Sequence, residues 1–93
     1  MPLTSTDERG YYEFHSDNVY FYMLDGKRRQ RCVVTVEALE RFNPQLKRGE
    51  AAQLASFSSN RSQIERAASD KFDKRYLETD GTVMVMANDV GTA

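Results

Sequence analysis

The sequence predicts an α+β fold: a small antiparallel sheet, built from a β-hairpin and a C-terminal strand with room for a short N-terminal strand, covered on one face by a short and a long helix. Three observations carry this expectation. Asp25-Gly26 separates "NVYFYML" from "RRQRCVVT", and Asp-Gly between aromatic and β-branched runs signals a hairpin because tight two-residue turns need positive φ. Leu54, Phe57, Ile64, Ala68 and Phe72 recur at spacings that place one apolar stripe on an α-helix. After Asp80-Gly81, "TVMVMA" reads as a closing strand.

Taken in order, residues 1–10 are polar and turn-rich and are expected to form a flexible tail, as are residues 89–93; residues 11–88 make the single domain. "YYEF" is an aromatic run separated by "HSD" from the first hairpin strand. With Asp25 and Gly26 as the central residues of a type I′ turn, Tyr22 opposes Arg29, Tyr20 opposes Arg31 and Val19 opposes Cys32. Side chains alternate with period two, so Val19, Phe21, Met23, Cys32 and Val34 form a core face and Tyr20, Tyr22, Arg29 and Arg31 the opposite one. Thr35 caps a short helix over "VEALERF", which Asn43-Pro44 ends. Gly49 precedes the long helix, read as continuous, where the weak propensity of "SFSSN" leaves a break near Ser59 open.

A chain of 93 residues makes one domain, and at this size folding buries only about 60 to 65% of the surface, so a subunit interface would add stability. With 40% hydrophobic and 29% charged residues the composition is that of a globular protein. The net charge of −1 gives no global pull toward polyanions, so nucleic-acid affinity would need a local patch. No apolar run has the length of a signal peptide core or a membrane span, which sets the expected location as the cytoplasm.

Several chemistries lack their residues. His15 and Cys32 are the sole histidine and cysteine, and with Cys32 beside Val19 they stand roughly 13 Å apart, beyond the reach of a nucleophile and its base. They cannot build a zinc site, and no carboxylate series has calcium-loop spacing. The glycines form no phosphate-cradling motif. Glu78, Asp80 and Asp89 read as turn and solvent residues rather than an acid and base pair. No enzyme activity, metal or cofactor is expected.

Two patches remain. Tyr20, Tyr22, Arg29 and Arg31 can serve as a cross-strand ladder that only stabilises the hairpin; they also combine residues enriched at protein interfaces and suit stacked bases and phosphates. Arg61, Glu65 and Lys71 form a second polar group on the long helix, with the cationic heads expected in water beside the apolar stripe. The reading favoured is a non-enzymatic interaction module, a homodimer or the partner of another protein, using the uncovered sheet face. The alternative is a nucleic-acid-binding regulator working through the basic hairpin Lys27–Arg31.

Val19-x-Phe21, Asp25-Gly26, Cys32-x-Val34 and Glu37-Ala38-Leu39, followed by Arg61-x-x-Ile64-Glu65-x-x-Ala68-x-x-Lys71 and Asp80-Gly81-x-Val83, resemble a family of short bacterial proteins known as domain of unknown function 1488. The resemblance spans roughly Tyr11 to Asp89. It implies a free-standing α+β domain with no assigned activity and no site residues to carry over.

Overall fold

The hairpin, the first of those expectations, is the spine of the structure. The computed structural model describes residues 2–6 and 8–90. Its elements are β1 (Thr4–Ser5), β2 (Tyr11–Glu13), β3 (Asn18–Asp25), β4 (Arg28–Val34), α1 (Val36–Phe42), α2 (Glu50–Ser59), α3 (Arg61–Asp73) and β5 (Val83–Val85), closed by a short 3-10 turn at Ala87–Asp89. The sheet order is β1-β3-β4-β5, with β2 also on β3. Strands β1 and β2 share the outer edge of β3 end to end, at Met23–Leu24 and at Asn18–Tyr20.

The hairpin turns one residue later than Asp25-Gly26 predicts. Asp25 pairs with Arg28, which leaves Gly26 and Lys27 as the central residues. Gly26 has φ 64° and Lys27 is not among the positive-φ residues, so the turn follows the type II′ pattern, with glycine first, instead of type I′. Each β3 residue therefore meets a β4 partner two places further along: Tyr22 pairs with Arg31, Tyr20 with Val33 and Phe21 with Cys32. An even slip preserves the faces. Val19, Phe21, Cys32 and Val34 are fully buried and Met23 nearly so.

The class is α+β as predicted, but the sheet is mixed. β5 joins β4 in parallel, Cys32 beside Val83 and Val34 beside Val85. Three helices lie between those strands, and a crossover of that length returns the chain to pair in the same direction, which a short hairpin connection cannot do. The long helix is divided at Asn60, whose φ of −114° leaves the helical region and whose side chain donates to the Ser56 carbonyl at 2.9 Å. Both halves still present one stripe to the sheet: Phe57, Ile64, Ala68 and Phe72 are buried, and the Phe57 and Phe21 rings stand 5.0 Å apart. Thr35 caps α1 as expected, its hydroxyl accepting from Ala38 N at 3.2 Å.

The termini correct two expectations. Leu3, placed in a loose tail by sequence, is buried, its N–H donates to Ser69 Oγ at 3.0 Å, and Thr4–Ser5 pair with β3. An apolar side chain three residues from the start has α3 to pack on, which local composition does not reveal. At the other end Asp89 is ion-paired to Lys71 and Val90 is buried, while residues 91–93 of the expected C-terminal tail lie outside the described residues.

Candidate functional site: a tyrosine and arginine platform

Helices cover the Phe21 face of the sheet, and the other face carries the aromatic and cationic residues that sequence singled out. The Arg29 guanidinium lies 4.0 Å from the centre of the Tyr22 ring and that of Arg31 4.8 Å from the Tyr20 ring. Because the register is slipped by two, these partners meet diagonally across β3 and β4 instead of directly. Diagonal neighbours on one face remain within reach of long and aromatic side chains. Each contact contributes about 0.5 to 1 kcal/mol at an exposed site.

Strand β2 adds a residue that the sequence did not single out. Tyr11 pairs with Tyr20; their rings are stacked at 6.1 Å, and Tyr11 also lies 6.3 Å from Tyr22, to whose hydroxyl it donates at 3.3 Å. That bond, followed by burial, raises the Tyr11 pKa above the usual tyrosine value. The connection before β2 adds Glu8, which forms an ion pair with Arg29. Both groups are half exposed, so the pair adds little stability. Tyr11 was legible as part of "YYEF", but its face depends on the pairing of β2 with β3; nothing local marks Glu8.

The platform is open at its β2 end and closed near β5. Tyr11 is 48% exposed, whereas Val33, on the same face, is buried at the floor of a depression rimmed by Tyr20, Arg31, Met84 and the chain from Glu78 to Thr82. The open part of this face therefore consists of the exposed Tyr11, Arg29 and Arg31 around the half-buried Tyr20 and Tyr22.

The second predicted group is not one site. Arg61 binds Glu65 at 2.9 Å and donates to the Thr6 carbonyl at 3.0 Å, and Glu65 accepts from Ser5 Oγ at 3.0 Å. Lys71 reaches the other end of the domain, donating to Met84 O at 2.7 Å and to Asp89 Oδ2 at 2.8 Å. Their heads were expected in water; they are largely buried because the N-terminal segment and the chain around β5 fold over them. Each ties one end of the chain to α3, and α3 does not bring them together.

The family question can now be settled. The model of the family described as protein of unknown function (DUF1488) matches residues 6–85. The chain belongs to the DUF1488 family. It also resembles the crystal structure of a protein of unknown function from that family in Shewanella loihica PV-4, with 15% identity, a TM-score of 0.80 and coverage of 90% of this chain and 91% of that one. At that identity the likeness speaks for the fold. No curated protein matches the chain.

The remaining chemical candidates of this DUF1488 chain are engaged in its structure. Cys32 is fully buried, and burial, helped by the Glu65 carboxylate, pushes its thiol up to about 12; the thiol stays protonated near neutral pH and is a poor nucleophile. Pairing with Phe21 instead of Val19 moves it further along the strand from His15. Asp80 accepts from Thr82 N at 2.9 Å, which holds its carboxyl below the usual aspartate value. Asp89 caps the closing turn, accepting from Met86 N at 2.8 Å. No group of three or more metal-ligating side chains occurs among the described residues, and none of their helices is long and apolar enough to cross a membrane.

Proposed function

We propose that this DUF1488 protein is a non-enzymatic self-associating module whose contact surface is the tyrosine and arginine face of the sheet. One observation carries the proposal: Tyr11, Tyr20, Tyr22, Arg29 and Arg31 already form a connected array of ring, hydroxyl and guanidinium contacts. Tyrosine and arginine dominate interface hot spots, and side chains ordered before contact lose less freedom on binding. The face carries both signs of charge, Glu8 paired with Arg29, which allows a two-fold axis to set unlike charges against each other in a self-complementary interface. A second copy is also what a domain of this size gains most from.

Sedimentation velocity at micromolar concentration tests this. A species twice the 10.7 kDa chain mass is expected. Tyr22→Glu shifts it to monomer with unchanged far-ultraviolet circular dichroism, and Tyr22→Phe leaves it dimeric. A monomer at every concentration, or a dimer indifferent to Tyr22→Glu and to Arg31→Glu, overturns the proposal. Nucleic-acid binding through Lys27, Arg28, Arg29 and Arg31 stands second. The faces of Tyr20 and Tyr22 that bases would stack on already carry guanidiniums.

A further inference from the structure

Beyond the end of the helix layer the hairpin leaves a cleft. α3 stops at Asp73 and β5 reaches β4 only as far as Cys32, so the stretch Arg28–Arg31 runs on without a neighbouring strand on its β5 side. The space there, about 520 Å³, is lined by Arg28, Arg29, Arg31 and Arg75 against Asp25 and Asp80. Phe72 and Leu77 add apolar surface. Arg29 is shared with Glu8; Arg28, Arg31 and Arg75 have no ion pair among the described residues.

Arg75 supplies an independent pointer. Its N–H donates to Phe72 O and that of Tyr76 to Lys71 O, each at 3.0 Å, which is the Schellman arrangement, and Arg75 occupies its left-handed position with φ 64°. Glycine is the usual residue there because a Cβ carries a steric cost. An arginine held in that conformation beside three others suggests that the side chain earns its place by what it contacts. Two of the helix-terminal carbonyls, Lys71 O and Phe72 O, already accept from these N–H groups.

We propose that this cleft binds the phosphate monoester of a small organic molecule. Four arginines against two aspartates leave the lining net cationic even with Arg29 shared with Glu8, which complements the charge of about −1.5 to −2 that a phosphate monoester carries at neutral pH. Guanidinium forks fit its oxygens in bidentate fashion. Leu77, 38% exposed, takes the organic part, and the volume falls in the range of small-molecule sites, about 300 to 1,000 Å³. A nucleic-acid backbone offers one charge per phosphate and needs a cationic track, whereas this cleft is a local concavity. Arg29 and Arg31 also belong to the platform, whereas Arg28 and Arg75 are not in ring contact with its tyrosines, so variants at Arg28 and Arg75 test the cleft apart from self-association.

Titration calorimetry of the full chain tests it, with phenyl phosphate and a ribonucleoside 5′-monophosphate as probes and phenylacetate and an unphosphorylated single-stranded oligonucleotide as competitors in class. Both monoesters are expected to bind more tightly than about 1 mM, with phenylacetate about tenfold weaker. Affinity falls about tenfold from about pH 7.5 to pH 5, because the second phosphate ionisation lies near pH 6. Arg75→Gly weakens binding at least about tenfold while the melting temperature holds or rises, since glycine suits the helix end. Arg28→Gln weakens binding as well. Undiminished binding by Arg75→Gly, equal or tighter binding of phenylacetate or the oligonucleotide, or no binding of either monoester at about 10 mM overturns the proposal.

Discussion

Removing the buried thiol should change how stability responds to alkali. Cys32 is fully buried and its pKa is pushed from 9.0 to about 12, chiefly by burial and further by Glu65. Between those values the unfolded chain loses the thiol proton and the folded chain keeps it, so folding stability falls as pH rises. Each unit of that window removes about 1.4 kcal/mol, a total of about 4 kcal/mol by pH 12. Urea unfolding at about pH 8 and about pH 10.5 samples half of it: the wild-type chain should lose about 2 kcal/mol more than Cys32→Ala between the two. Comparing the two chains cancels the lysines and tyrosines that also titrate there. Cys32→Ala itself costs on the order of 1 kcal/mol at the lower pH through lost packing. The native thiol should also resist a disulfide reagent until the chain unfolds. Parallel pH dependences in the two chains, or a thiol that reacts rapidly in native buffer, would show that Cys32 is neither shielded nor shifted.

Two further outcomes test the packing. Gly10→Ala should destabilise by about 1 to 3 kcal/mol in chemical denaturation through overpacking, because a Cβ there would stand 2.9 Å from Phe57 Cε2 and 3.0 Å from Val19 Cγ1. Lys71→Met should cost about 1 to 3 kcal/mol by leaving Asp89 without its counter-charge and the Met84 carbonyl without its side-chain donor. A double-mutant cycle with Asp89→Asn measures how much of that cost is the ion pair itself.

The faces of the hairpin, the helix stripe and the cap at Thr35 were legible in the sequence because each depends on residues a few positions apart. Alternation with period two sorts Phe21 and Cys32 from Tyr20 and Arg31 wherever the turn falls, provided the slip is even; the turn slipped the register by two, and the faces survived. That slip even kept the predicted partners, since Tyr22 still meets Arg29 and Tyr20 still meets Arg31, as diagonals. The stripe reads as one long helix in which "SFSSN" leaves a break near Ser59 open, and the structure divides it at Asn60.

Contacts across the chain were another matter. The direction of β5, the docking of Leu3 on α3, the placement of Tyr11 beside Tyr20, and the separate anchoring by Arg61 and Lys71 all join segments far apart in sequence. Their energies depend on which surfaces meet, and a local pattern of apolar and polar residues does not encode that. Sequence alone determined which side chains share a face. Tertiary structure decided which of those faces is left open and that Arg75 lines one cleft with the hairpin arginines, because the long connection from β4 to β5 packs α3 beside β5.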